Sequence, residues 1–506
     1  MLFSRRIENR ILSAFLLLIS TFPLFNYALN IFLYPSAKVL IAFIPLTLIN
    51  TADFLSALFK KCQTVKRTQI RKILKPAVCL YLVISAVILC VNVNRTDPLI
   101  TREHTDEEFI KFHTQFLEET FEKEDIYRVN TSLSSELHVN RAASSKEFKT
   151  TMYSSIFSGD YRAAYRDLFE NPLNSRNEFS LNADANLIFQ MYAGEKYVYS
   201  DSPLGFPYEK IAQQGNLTLY RNPYVLPIGY VTDRIMNEKD FEKLSYPNSM
   251  LSLLGTAVLP NKTTNTSPVN TDKVTDFSYT MGQITNLTYE KIENGYLLHA
   301  KENAKVTLQL TDKSLLNKLL FIDFALAPAA CDLTLTVNGI TNTLTAADWK
   351  YYNRNDRFAY VISNSQNALE MTFTEGEYAI TDLSVSVLDF DSIQDIHDEV
   401  DTLVINKEKT KGDTLSGTVN VTKQGTFLFS IPYDKSFTLY VDGKETPYYP
   451  ANKAFIGFDI TEGEHTVTLC YKAPLKTAGI AASSVGLILL VSTTLYERRK
   501  KETTWN

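Results

Sequence analysis

The chain has 506 residues, a formal net charge of −5 from 51 basic and 56 acidic side chains, and 45% hydrophobic residues. This balance excludes a polycationic nucleic-acid binder and a charge-rich disordered chain, and five cysteines exclude a disulfide-built scaffold. The length suits about three or four domains.

The N-terminal region holds three long apolar runs, at 11–33, 39–59 and 76–93, and a fourth lies at 478–496. Each is long enough to cross a hydrocarbon core of about 30 Å as a helix. The basic segments set the orientation: residues 1–10 carry +2, the loop 60–75 carries +7 and the tail 497–502 carries +2. Short basic loops stay in the cytoplasm, so the pattern predicts four spans, both termini inside, and one large outer region between. These segments total +11, which leaves −16 for the rest of the chain.

Outside the spans, Thr105-Asp-Glu-Glu108 has the form of a capping box, and Phe109, Phe112, Phe116 and Leu117 follow at helical spacing. His104 and His113 read as surface residues of that helix. Short strands are expected at 126–129, 197–199 and 217–220, and helices at 161–169, 184–192 and 239–254, the last ending at Gly255. This mixture gives an α/β module over 95–255. A linker is placed at 256–274. Beyond it, alternating β-branched and polar residues predict two β-sandwich modules, at 275–395 and 405–474. The fold class is therefore an α+β membrane protein: four transmembrane helices, an extracytoplasmic α/β module, and two sandwiches before the last span.

The two sandwiches share an internal echo. Leu333-Thr-Leu-Thr-Val-Asn-Gly339 resembles Phe437-Thr-Leu-Tyr-Val-Asp-Gly443, and Thr374-Glu-Gly-Glu resembles Thr461-Glu-Gly-Glu. Asn-Gly and Asp-Gly between strand-like runs predict type I′ hairpins. Between the sandwiches, Asp389-Phe-Asp391, Asp395, Asp398, Glu399 and Asp401 lack the glycine of a calcium loop and read as a solvated acidic linker. A bridge between Cys331 and Cys470, the two cysteines outside the spans, is left open.

A series of short stretches runs in order through the outer region: Asn140-Arg141, Tyr153-Ser154-Ser155, Glu195-Lys-Tyr-Val-Tyr199, Leu219-Tyr-Arg-Asn-Pro223 and Leu226-Pro-Ile-Gly-Tyr230. The late members are Ser430-Ile-Pro-Tyr-Asp-Lys435, Tyr440-Val-Asp-Gly-Lys444, Ala454-Phe-Ile-Gly457 and Glu462-Gly-Glu-His465. Together with the final span and basic tail, this series resembles the C-terminal part of YfhO-type bacterial membrane proteins over nearly the whole chain. The resemblance implies a GT-C-type glycosyltransferase of the cytoplasmic membrane. Such an enzyme moves a sugar from a polyprenyl-phosphate carrier to an envelope polymer such as lipoteichoic acid. Its chemistry needs a carboxylate base and a cationic partner for the leaving phosphate.

Two departures stand out. Members of that family carry many more spans than four. Their catalytic carboxylate lies in the first outer loop, which here is Tyr34-Pro-Ser-Ala-Lys38 and has none. The chain is therefore expected to be the C-terminal part of such an enzyme, lacking its catalytic N-terminal part, or a subunit that works with it. The alternative is a non-catalytic, membrane-anchored glycan-binding or scaffold protein.

Candidate contacts to carrier or acceptor are Tyr153, Ser154, Ser155 and Lys196, then Asn140 and Asn222. Each has a structural alternative, hydrogen bonding inside the module, and Asn222 before Pro223 is a natural turn residue. Asp53 is the carboxylate inside an apolar run, and its nearness to Lys60 and Lys61 places it toward the inner surface. The six histidines have no ligand spacing, so no cofactor is indicated and a carboxylate-held Mg²⁺ or Mn²⁺ is left open. The expected partners are the bilayer, a polyprenyl-phosphate sugar, an envelope glycopolymer and a subunit supplying the N-terminal half, with no nucleic acid.

Overall fold

The computed structural model describes residues 11, 14, 80, 84, 107–123, 126–133, 147–150, 152–153, 158–174, 176, 180–181, 186–201, 203–260, 273–310, 318–364 and 368–503. The chain divides into two units, 1–104 and 105–506. In the first, Ile11, Ala14, Leu80 and Ile84 are helical and exposed. The spans expected at 11–33, 39–59 and 76–93 otherwise lie outside the described residues. The fourth expected span falls in the helix Lys476–Thr503, and its Lys476–Thr493 stretch has a mean hydropathy of 1.4 and no buried residue. It is the one helix among the described residues that is long and apolar enough to cross a membrane. Its 18 residues give a length of about 27 Å.

The rest of the large unit is rich in β-structure. The helix Glu107–Lys123 packs Leu117, Phe112 and Phe116 on a four-stranded sheet with the order Arg128–Leu133, Glu195–Ser200, Leu217–Arg221, Glu209–Gln214. The first pair is parallel and the others antiparallel. A second core holds the short helix Gly159–Ala163, its π-helical continuation Ala164–Leu168 and the buried helix Leu187–Ala193. Asn186 caps the last of these through Phe189 N–H, and Gly194 ends it at φ 70°.

The helix expected over 239–254 is two short helices, Glu238–Phe241 and Asn248–Leu251. Pro247 supplies no N–H and its ring obstructs the preceding turn, so no helix runs through it. Gly255 takes the expected left-handed conformation, at φ 68°. The linker expected from 256 begins later, because Ala257–Leu259 is a fully buried strand paired in parallel with Ile235–Asn237.

A nine-stranded sheet spans 275–389 and lies in the chain between Leu259 and Asp401. Its first and last strands pair with each other, Thr275 opposite Val387, so the chain leaves this sheet beside its point of entry. Strand Lys318–Leu326 is apolar almost throughout. Leu320, Ile322 and Phe324 enter the sheet's own core, while Leu319 and Phe321 join the α/β core. A strand buried on both faces needs such an unbroken apolar run.

The last module has two facing five-stranded sheets. One has the order Asp401–Thr402, Gly229–Thr232, Gly425–Pro432, Phe455–Ile460, Tyr449–Ala451. Its second strand comes from the α/β region, and Gly229 pairs with Phe429. A Cβ at Gly229 would lie 2.9 Å from the Phe427 ring, which explains the glycine in Leu226-Pro-Ile-Gly-Tyr230. The α/β region and the last sandwich are thus one interlocked framework.

The acidic segment 389–401 is anchored rather than free. Its acids point outward, but Phe390, Ile393 and Ile396 are buried in the α/β core. Cys331 and Cys470 are free thiols.

Candidate functional site

Of the residues singled out from the sequence, Asp53, Asn140, Ser154 and Ser155 lie outside the described residues. Tyr153 stands on a separate two-stranded ribbon, opposite Ser180. Lys196 and Asn222 are brought together at one sheet end, where the Asn222 N–H donates to the Lys196 carbonyl at 2.7 Å. The Lys196 ammonium lies 4.2 Å from the centre of the Tyr127 ring. Asn222 is fully buried, its Oδ1 accepts from Tyr224 N–H at 3.1 Å, and its Nδ2 has no hydrogen-bond partner among the described residues.

Two of these stretches, Glu195–Tyr199 and Ser430–Lys435, meet in a buried polar network. Arg128 donates to the Ala193 carbonyl and, at 2.7 and 2.8 Å, to the hydroxyl and carbonyl of Ser430. Asn130 donates to Glu195 at 2.9 Å. Burial lowers the Arg128 pKa from its ordinary value, against the opposing fields of Tyr161, Glu195 and Tyr192. Burial likewise raises the Tyr161 and Tyr192 hydroxyls. Asn452 closes the network from the other side: its side chain accepts from Val258 N–H at 2.6 Å and donates to Tyr192 and Thr256, each at 3.2 Å. These groups face one another and not solvent, so their chemistry is structural.

His113 corrects the expectation of a surface histidine. It is fully buried, with Nδ1 3.1 Å from the Tyr199 hydroxyl and Nε2 3.5 Å from the buried Glu147 carboxylate. The helical period contains the signal: position 113 is four residues from both 109 and 117, on the apolar stripe itself.

An open groove of about 540 Å³ lies on the last sandwich, in the stretch that opens Ser430-Ile-Pro-Tyr-Asp-Lys435. Tyr433, Phe437 and Tyr448 supply aromatic walls, and Lys435 and Glu445 supply opposite charges. The Tyr433 and Tyr448 rings lie 5.6 Å apart. The Tyr448 hydroxyl is shared between the carbonyls of Asp434 and Phe437, at 2.8 and 2.9 Å, and burial raises its pKa. Asp434 accepts from Ser436 N–H at 2.7 Å and so shapes the turn that carries Lys435. Phe437 is the register partner of Tyr471, after which only 472–475 separate the sandwich from the Lys476–Thr503 helix. Four residues reach at most about 14 Å. The groove is therefore tied closely to the candidate membrane helix.

A smaller pocket of about 360 Å³ lies beside the π-helical turn, where Lys453 pairs with Glu238 and Glu242, each at 2.7 Å. Among the described residues no group of three or more His, Cys, Asp or Glu is placed to hold a metal ion.

The two hairpin turns have the predicted form. Asn338-Gly339 and Asp442-Gly443 all have positive φ. Asn338 and Asp442 make the same reciprocal bonds: each donates its N–H to a neighbouring strand carbonyl and accepts that residue's N–H on its side chain, from Glu370 and Thr466 respectively. Asp442 also takes a 2.8 Å bond from His465, and these bonds hold its carboxyl below the usual range. The aspartates of this block are turn-formers.

The large unit is thus β-rich, bears its groove on the last sandwich and closes on one helix long and apolar enough to cross a membrane. The chain belongs to the family described as "Bacterial membrane protein YfhO", whose model matches residues 4–483. A similar curated protein is the "Uncharacterized protein YfhO" of Bacillus subtilis (strain 168), 23% identical over 359 residues. The match covers 69% of this chain and 40% of that relative, so the chain spans less than half of the relative's length. Among solved structures, a xylan-binding module, CBM86 from Roseburia intestinalis, is 16% identical and covers 23% of this chain and 92% of its own, with a TM-score of 0.17. So slight a likeness supports no inference.

Proposed function

We propose that this protein acts in envelope-glycan transfer at the bacterial cytoplasmic membrane, as the C-terminal part of, or partner in, a glycosyltransferase that uses a polyprenyl-phosphate sugar. The large unit, up to its terminal helix, lies outside the membrane and holds the acceptor polymer. The observation that carries this reading is the groove. Aromatic rings offer flat apolar faces to the C–H faces of sugar rings, and Lys435, Glu445 and nearby hydroxyls offer hydrogen bonds to the polymer's polar edges. Its short tether to the Lys476–Thr503 helix keeps a bound polymer near the bilayer surface, where a lipid-linked sugar arrives. Aromatic lining favours holding the glycan over breaking its bonds. The role assigned to this chain is therefore acceptor binding, and the transfer chemistry is assigned to the multi-span part of the assembly.

The test is deletion of the gene in its host, followed by sugar analysis of purified lipoteichoic and wall polymers. Polymer present in normal amount but stripped of its sugar is the expected result. Unchanged decoration sinks the proposal.

A further inference from the structure

Tryptophan is scarce in this chain, with Trp349 and Trp505 as its two copies. Trp349 is not in any of the buried cores. It is 38% exposed on a loop of the nine-stranded module, next to Tyr351, which is 40% exposed. Large aromatics are usually well covered, so two side by side in solvent call for an explanation. The rings sit edge to face, 6.0 Å apart.

The pair is held in advance of any contact. Arg176 stacks on one face of Trp349, 3.9 Å from its centre, and pairs with Asp332 through Nε at 2.6 Å and Nη2 at 3.3 Å. Asp332 also accepts the Ala346 N–H at 2.9 Å, and Ala347 N–H donates to the Ala329 carbonyl at 2.8 Å. The loop is thus fixed at its base, and little conformational entropy is lost when a ligand meets the rings.

The size and charge of the patch select its occupant. An aromatic side chain covers about 150–250 Å², so these two at their exposures show on the order of 150 Å². A stable protein partner needs roughly 800 Å² on each side. A single sugar ring needs one aromatic face. The rim carries Asp348 and Lys350, both exposed and of opposite sign, with the Lys350 ammonium 5.5 Å from the centre of the Tyr351 ring, and the Arg176–Asp332 pair lies beside them. Mixed charge of this kind suits uncharged hydroxyls better than a polyanion.

We infer that Trp349 and Tyr351 form a stacking platform for one ring of a neutral, hydroxyl-rich glycan, with Asp348 and Lys350 hydrogen-bonding to its hydroxyls. This inference shares with the proposed function the premise that the large unit meets envelope glycan. It adds a second contact, on a different module from the groove.

The test uses the full chain in detergent micelles with Trp505→Phe, so that Trp349 is the sole tryptophan. Its emission is followed on titration with cellohexaose, chitohexaose and maltohexaose. A saturable change with at least one of them is expected, with a dissociation constant on the order of 1 mM, as suits one stacked ring. Tyr351→Ala, which leaves Arg176 on Trp349, weakens it at least fivefold, and Tyr289→Ala, at an equally exposed aromatic elsewhere on the same module, leaves it unchanged. No saturable change with any of the three overturns the platform, as does a response to a host envelope protein alone. Sugar binding with normal polymer decoration in the deletion strain sustains the platform and sinks the transfer role; lost decoration without sugar binding does the reverse.

Discussion

The interlocked framework and the nine-stranded module are both β-rich, yet they are held together differently. The framework depends on partners far apart in the chain: Arg128 bonds Ser430 across 302 residues, and Gly229–Thr232 fills a place in the last sandwich's sheet. The module is built mainly from hairpins of its own, and its ends lie side by side. Although it shares apolar core through Leu319 and Phe321, its polar contacts to the framework are largely at a seam: Arg357 with Glu170, Arg176 with Asp332, and Arg166 with the carbonyls of Asn353 and Arg354. Removing one long-range polar contact should therefore loosen the framework as a whole, whereas a seam contact should matter only locally.

The largest effect is expected at Arg128. Arg128→Met leaves the Ser430 carbonyl and the facing Glu195 without their buried cation, which costs about 3–5 kcal/mol. Arg176→Met at the exposed seam costs less than about 1 kcal/mol. Urea denaturation of the full chain compares the two, and equal losses would erase the distinction.

The seam holds one exception, and pH reveals it. Glu170 is raised from its ordinary 4.5 to about 7, chiefly by burial and against the opposing field of Arg357. Between those values the folded chain keeps a proton that the unfolded chain has released. The stability this gives is complete below about pH 4.5 and is lost as the pH rises through 7, by as much as ~3 kcal/mol. Glu170→Gln should flatten that slope in denaturation midpoints measured from pH 4.5 to 8. A slope that persists in the variant would assign it to other groups.

The smallest effects are expected at the two hairpins. Gly339 and Gly443 have φ of 88° and 75°, and a Cβ at either would meet nothing within 4 Å. Alanine there costs only the left-handed conformation, about 1 kcal/mol each. A loss several times larger at one of them would show that the two turns are not equivalent.

The same contrast governs what the sequence reveals. The turns at 338–339 and 442–443 and the strand Leu333–Val337 are legible because Asn-Gly, Asp-Gly and strict alternation act over a few residues. The matching hairpins nevertheless take different neighbours: Leu333–Val337 pairs with Ala368–Phe373, which precedes Thr374-Glu-Gly-Glu, whereas Phe437–Val441 pairs with Gly463–Tyr471, which follows the second start of that motif. Nothing local specifies that choice. The place of Gly229–Thr232 in the last sheet is hidden for the same reason, since pairing across some two hundred residues leaves no trace in either strand. The burial of His113 is legible from its place on the apolar stripe, but its partners Glu147 and Tyr199 are not, because they come from distant parts of the chain. Of the candidate site, Lys196 and Asn222 do meet, through one backbone bond. The aromatic groove is legible only as residues, because Tyr433 and Tyr448 face each other across two turns.

The proposed hold of the large unit on an envelope glycan rests on this groove. The most direct measurement is complementation of the deletion strain with wild type and with a Tyr433→Ala/Lys435→Ala variant, at matched membrane levels, reading sugar per polymer repeat. Wild type is expected to restore decoration, and the groove variant to leave it reduced at least severalfold. Full restoration by the groove variant would contradict the proposed hold.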